Sequence, residues 1–80
     1  MILCTEAYAR DDAGKLASLL VTLIVGDKEA RSYVLISHIN EPRVVMNYAK
    51  KLCGQLEIDD WKTEHECAQR IARAVSDYRD

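Results

Sequence analysis

The sequence predicts an α+β fold: a three-stranded antiparallel sheet (a β-β-β meander) followed by two α-helices packed on one of its faces. Three observations lead there. Leu19–Ile39 holds two apolar, β-branched runs on either side of a turn led by Gly26-Asp27, the pattern of a β-hairpin. Asn40-Glu41-Pro42 then opens a helical pattern, and Thr63-Glu64-His65-Glu66 opens a second. All strand signals precede all helix signals, so the order is that of a layered α+β domain rather than of alternating βαβ units.

Taken in order, Met1–Ala9 alternates as a strand, with Ile2, Cys4 and Tyr8 on one side and Leu3, Thr5 and Ala7 on the other. Arg10–Lys15 is a polar turn containing Gly14, too short for a crossover, so the next strand pairs antiparallel with the first. Lys15–Val25 fits two patterns. Leu16, Leu19, Leu20, Leu23 and Ile24 have helical spacing, with Asp11 or Asp12 as a cap and Gly26 as a stop. Against the helix, Val21, Thr22, Ile24 and Val25 crowd β-branched residues together, and a matching run follows Gly26-Asp27. Strand is the expectation, with helix as the alternative.

Register decides which side chains share a face, because the strand period is two. An even loop between Val25 and Ala30 groups Leu19, Val21 and Leu23 with Ala30, Ser32, Val34 and Ile36. It leaves Leu20, Thr22, Ile24, Arg31, Tyr33, Leu35 and Ser37 on the other face. An odd loop would swap the partners. The even loop is expected, since it gives one nearly pure apolar face and one mixed face.

The first helix is expected over Pro42–Cys53, with Asn40 as cap, Glu41 at the positive end of the dipole and Pro42 in the first turn. Val44, Val45, Tyr48, Ala49, Leu52 and Cys53 form its apolar side, and Arg43, Asn47, Lys50 and Lys51 its polar side. Gly54 stands where a left-handed residue would end it, with Leu56 folding back. Gln55–Lys62 is a connection with room for a short extended piece. Thr63 and Glu66 have capping-box spacing for a second helix to about Tyr78, with Cys67, Ala68, Ile71, Ala72, Ala74, Val75 and Tyr78 as its apolar face.

Composition bounds the function classes. Eighty residues make a single compact domain, 1–80, that buries only about 60% of its unfolded surface. That leaves little volume for an internal active site. Net charge is −2, with 4 basic and 5 acidic residues through Asn40 and 7 and 8 after it. No basic excess of the kind phosphate binding requires is present, nor the acid excess of a nucleic-acid mimic. Met1–Cys4 lacks the basic flank of a signal peptide, and no apolar run approaches the ~20 residues of a membrane span. Cys4, Cys53 and Cys67 are odd in number and form no CxxC, which suits free thiols in a cytoplasmic setting (the host cytoplasm for a phage-encoded chain).

Chemistry-bearing residues are sparse. His38, His65 and the three cysteines show no paired metal-ligand spacing, so no metal is expected. His65 and Cys67, two apart on a helix, point in different directions and make a poor nucleophile–base pair. Asp11-Asp12 and Asp59-Asp60 fall in turns, where Asp bonds local backbone. Gly14, Gly26 and Gly54 are isolated, which gives no phosphate loop and no expected cofactor.

The expectation by elimination is a non-enzymatic module that binds another protein or protein complex. Its surface would be the mixed sheet face: Leu20, Thr22, Ile24, Arg31, Tyr33 and Leu35. An exposed outer strand could instead take a strand from a partner or from a second copy, giving a homodimer. Nucleic acid along Arg43, Lys50 and Lys51 is the alternative, and a membrane partner is not expected. In size and style the chain is similar to phage- or mobile-element-encoded inhibitors, anti-CRISPR-like proteins among them. No residue motif carries that likeness.

Overall fold

The computed structural model describes residues 1–79, with side chains through Tyr78. Strands β1 (Ile2–Arg10), β2 (Leu16–Val25) and β3 (Lys28–Leu35) come first, then a 3-10 turn (Ile36–His38), then helices α1 (Pro42–Gln55) and α2 (Trp61–Arg79). The strands form an antiparallel meander in the order β1-β2-β3. The fold is the α+β layer expected, and Lys15–Val25 resolves as strand from Leu16 onward.

The hairpin loop is even, and shorter than the span first assigned to it. Val25 pairs with Lys28, so only Gly26 and Asp27 lie between the strands. Gly26 has φ +63, and a two-residue turn with a positive φ at its first position matches the right-handed twist of its strands. Parity is preserved. The covered face carries the cross-strand rows Leu3–Leu23–Ala30, Thr5–Val21–Ser32 and Ala7–Leu19–Val34. Leu19, Val21, Leu23 and Val34 have no solvent exposure at all.

β3 ends at Leu35, which corrects the placing of Ile36, Ser37 and His38 on a strand. The 3-10 turn is closed by the Ile39 N–H donating to the Ile36 carbonyl at 3.1 Å. The chain must leave the edge of the sheet and cross onto its covered face. A tight turn does this in three residues and buries Ile39, which a continued strand would have carried away from the core.

Helix ends also differ from expectation, each for a physical reason. Pro42 opens α1 as predicted, but the capping position is Glu41, with no side-chain bond, and Asn40 lies outside it. The amides of Val44 and Val45 bond the Glu41 carbonyl instead. At the other end α1 runs through Gly54 to Gln55, and the left-handed residue is Glu57, at φ 57. Ile58 N–H donates to the Cys53 carbonyl at 2.9 Å and Glu57 N–H to the Gly54 carbonyl at 3.1 Å, which is a Schellman closure. The extra turn buries Leu56 and packs Ile58 against the core, a gain that outweighs the backbone cost at Glu57. No strand forms between the helices.

α2 begins at Trp61 rather than at Thr63. Asp60 accepts from the Lys62 amide at 3.2 Å and from the Thr63 hydroxyl at 2.8 Å, so the carboxylate takes the cap and Thr63 serves it as a donor. Those bonds, the Thr63 hydroxyl first, hold the Asp60 carboxyl below its ordinary pKa. The buried stripe of α2 is Cys67, Ala68, Ile71 and Val75. It is narrower than predicted, since Ala72 and Tyr78 are exposed and Ala74 is half-buried. α1 lies over β3 and against α2, which reaches over β1 and β2. Together they cover one face of the sheet and leave the other open.

Candidate protein-interaction surface

The open face is built by the same register as the core, one residue out of phase. Its rows are Ile2–Ile24–Glu29, Cys4–Thr22–Arg31 and Glu6–Leu20–Tyr33, followed by Ser18–Leu35. The structure therefore brings the six residues singled out from the sequence onto one surface. Leu20, Thr22 and Ile24 on the central strand are half-buried, and Arg31, Tyr33 and Leu35 on β3 are exposed.

Two large apolar side chains on the β1 part of this face, Ile2 and Tyr8, were missing from that set. Ile2 is 57% exposed and Tyr8 59%, against 55% for Tyr33. Tyr8 reaches Tyr33 across the central strand, with ring centroids 4.5 Å apart and planes tilted by 46°. The β1–β2 register shifts on either side of Ala9, so that Tyr8 and Ala17 are each extra residues in their strands. Such a bulge re-aims a side chain and sharpens local twist. Ser18, paired with Ala9 and Leu35 beside the bulge, is only 6% exposed on this otherwise open face. The signal for Tyr8 lay in the alternation of Met1–Ala9, which put it with Ile2 and Cys4. Placing it beside Tyr33 needed the pairing of β1 with β2.

The electrostatics of the face are mild. Arg31 donates from Nε and Nη2 to Glu29 Oε1 at 3.1 and 3.0 Å, so the two charges neutralise each other at the β3 edge. Hydrogen bonding with the Tyr8 phenol, and its charge, raise the Tyr33 hydroxyl above its ordinary pKa. The Tyr33 ring therefore presents neutral, amphipathic surface at physiological pH.

Elsewhere the residues that carry chemistry have structural work. Cys53 and Cys67 are fully buried in the helical layer, while Cys4 is exposed. Burial above all, then the Cys53 thiol, pushes Cys67 up to about 12. Burial likewise raises Cys53, with Glu64 and Asp60 adding to it. Both are held as thiols, not as nucleophilic thiolates. Asp11 Oδ1 accepts the amides of Ala13 and Lys15, each at 2.9 Å, as a turn aspartate does. His65 meets the edge of Trp61, with ring centroids 6.4 Å apart. Among the described residues no group of three His, Cys, Asp or Glu is placed to hold a metal ion.

Arg43, Lys50 and Lys51 lie exposed along α1, and Arg43 faces Glu41 at 3.5 Å across solvent. A shallow groove of ≈ 390 Å³ runs between the start of α1 and the middle of α2, lined by Pro42, Met46, His65, Gln69 and Ala72 among others. No described helix is long and apolar enough to cross a membrane. Comparison of the chain with protein-family models, with curated proteins and with solved structures gave no match.

Proposed function

We propose that the protein is a non-enzymatic binding module that docks another protein on the open face of its sheet. The observation that carries this is the aromatic and aliphatic surface of Ile2, Tyr8, Leu20, Ile24, Tyr33 and Leu35, which the helices leave uncovered. Paired tyrosines bring large, rigid, amphipathic area to a contact at low conformational cost, and a charge pair at the rim suits an interface edge. Contact of this kind would serve to block a partner's own surface, the mode of action of a small phage- or mobile-element-type inhibitor. Nucleic acid along Arg43, Lys50 and Lys51 ranks second, since three cations on one helix, one of them facing Glu41, fall short of a phosphate-tracking patch.

The test is affinity capture from native lysate, read by mass spectrometry, with variants shown to be folded by circular dichroism. A partner retained by wild type and by Lys50→Glu should be lost with Ile24→Asp and with Tyr33→Ala. Retention by both sheet variants would sink the reading. Binding that falls steeply with salt and disappears on charge reversal of Lys50 and Lys51 would favour nucleic acid.

A further inference from the structure

The two edges of the sheet are treated differently. On β3, Gln55 Nε2 of α1 donates to the Arg31 carbonyl at 3.2 Å. That bond shows the backbone of Arg31 pointing off the sheet, and the Glu29–Arg31 pair adds charge to the same edge. Covering and charging an edge are the ordinary means of preventing strand addition.

The same bond fixes the direction of every backbone group in the meander. With Arg31 pointing outward, its partner Thr22 bonds towards β1, and Cys4, opposite Thr22, bonds inward. Alternation then turns the N–H and C=O of Leu3, Thr5 and Ala7 outward. Among the described residues nothing donates to or accepts from them. This edge has no proline and no lysine, and the bulge that could twist it away comes only after Ala7. Its charges are Glu6, which lies on the open face, and Arg10, which comes after the bulge. β1 is thus a straight, unblunted edge.

We propose that β1 pairs antiparallel with β1 of a second copy, about a two-fold axis through Thr5, joining two sheets into one of six strands. This inference is independent of the docking reading for the open face, which the pairing leaves exposed and doubles in extent. Self-pairing is favoured over a foreign strand because the edge is complementary to itself. The outward residues are spaced evenly about Thr5, so Leu3 meets Ala7 of the second copy, Thr5 meets Thr5, and about six backbone bonds form. On the covered side, large stands against small. On the open side, Ile2 of each copy comes beside Tyr8 of the other, bringing together two of the most exposed apolar side chains on β1. Cys4 stands across from Glu6. Sliding the pair by two residues one way sets Glu6 against Glu6, which like-charge repulsion opposes. Sliding it the other way idles Ala7 and sets Ile2 against Glu6. One register satisfies both hydrogen bonding and charge.

Sedimentation and cross-linking test this on the full chain. Wild type should sediment at twice the 9.1 kDa of one chain. Thr5→Pro removes an outward N–H while leaving the β1–β2 ladder intact, and should halve the mass with an unchanged far-ultraviolet spectrum. Glu6→Cys places a thiol across from Cys4 of the second copy in a non-hydrogen-bonded pair, the closer of the two cross-strand geometries. Oxidised glutathione should then give a covalent dimer whose digest shows position 4 linked to position 6. Tyr33→Asp should leave the dimer intact. A single-chain mass for wild type, or a dimer that Thr5→Pro leaves unchanged, would overturn the proposal. So would a Glu6→Cys chain that stays unlinked, or a dimer lost with Tyr33→Asp, which would mean the copies meet by their faces. Should Thr5→Pro fail to fold, the Glu6→Cys cross-link decides the matter.

Discussion

The central strand belongs to two different environments at once. Leu19, Val21 and Leu23 face the helices and are fully buried, while Leu20, Thr22 and Ile24, their immediate neighbours, face out and are half-buried. The residue types barely differ between the two sets. What differs is parity in the register and the presence of a helical layer on one side only. Apolar character alone therefore says little about which face is core. The covered face is recognised by the absence of charge across its rows, and the open one by Glu6, Glu29 and Arg31 mixed among its aliphatics.

That comparison can be broken by truncating neighbours. Leu23→Ala removes a side chain from a closed environment and leaves a cavity, so a loss of about 2–5 kcal/mol is expected. Leu20→Ala opens onto solvent, where water fills the space, and should cost roughly 1 kcal/mol. Urea denaturation with unchanged m-values measures both. Equal losses would show that the open face is as much a core as the covered one.

The cysteines sharpen the same contrast. Cys4 lies exposed on the open side, and Cys53 and Cys67 are buried in the covered layer. Iodoacetamide should label one thiol in the native chain and three after unfolding. Alkaline pH provides a second measure. The folded-state pKa of Cys67 is raised from 9.0 to about 12, so the folded chain keeps a proton that the unfolded chain releases. Its contribution to stability is fully present below pH 9 and is lost as pH rises towards 12. Cys67→Ala should be less stable at neutral pH but show a shallower fall in stability over that window. Native labelling of Cys67 would mean that the helical layer opens readily.

Legibility in the sequence followed the range of the interaction. The strands, their order, the even loop and the two faces were readable because a period of two and a Gly-Asp turn are local signals. The open-face residues of the hairpin followed directly. Tyr8 did not, since its place beside Tyr33 depends on a bulge set by the pairing of β1 with β2. Nor did the contrast between the two edges, which rests on Gln55 meeting Arg31, twenty-four residues away in the chain. Helix ends misled for a related reason. Gly54 and Thr63 each carry a strong local signal, but burial of Leu56 and the carboxylate of Asp60 decided where the helices stop and start.

The joint between the helices turns that last point into a prediction about sign. If α1 ended in a left-handed Gly54, alanine there would be destabilising. Gly54 instead sits inside the helix with open space around the position of a Cβ. Gly54→Ala should therefore stabilise the chain by about 0.5–1 kcal/mol, because alanine lowers the backbone entropy lost on folding. Glu57 is the residue at positive φ, where an L side chain costs about 1 kcal/mol that glycine avoids. Glu57→Gly should also stabilise, by somewhat less than that, since glycine adds freedom to the unfolded chain as well. For a domain of this size either change raises Tm by roughly 4 °C, readable by calorimetry. Neither position touches either face of the sheet, so both variants should leave every association described above unchanged. A fall in Tm with Gly54→Ala would restore the helix end that the sequence suggested and remove the Schellman closure at Glu57.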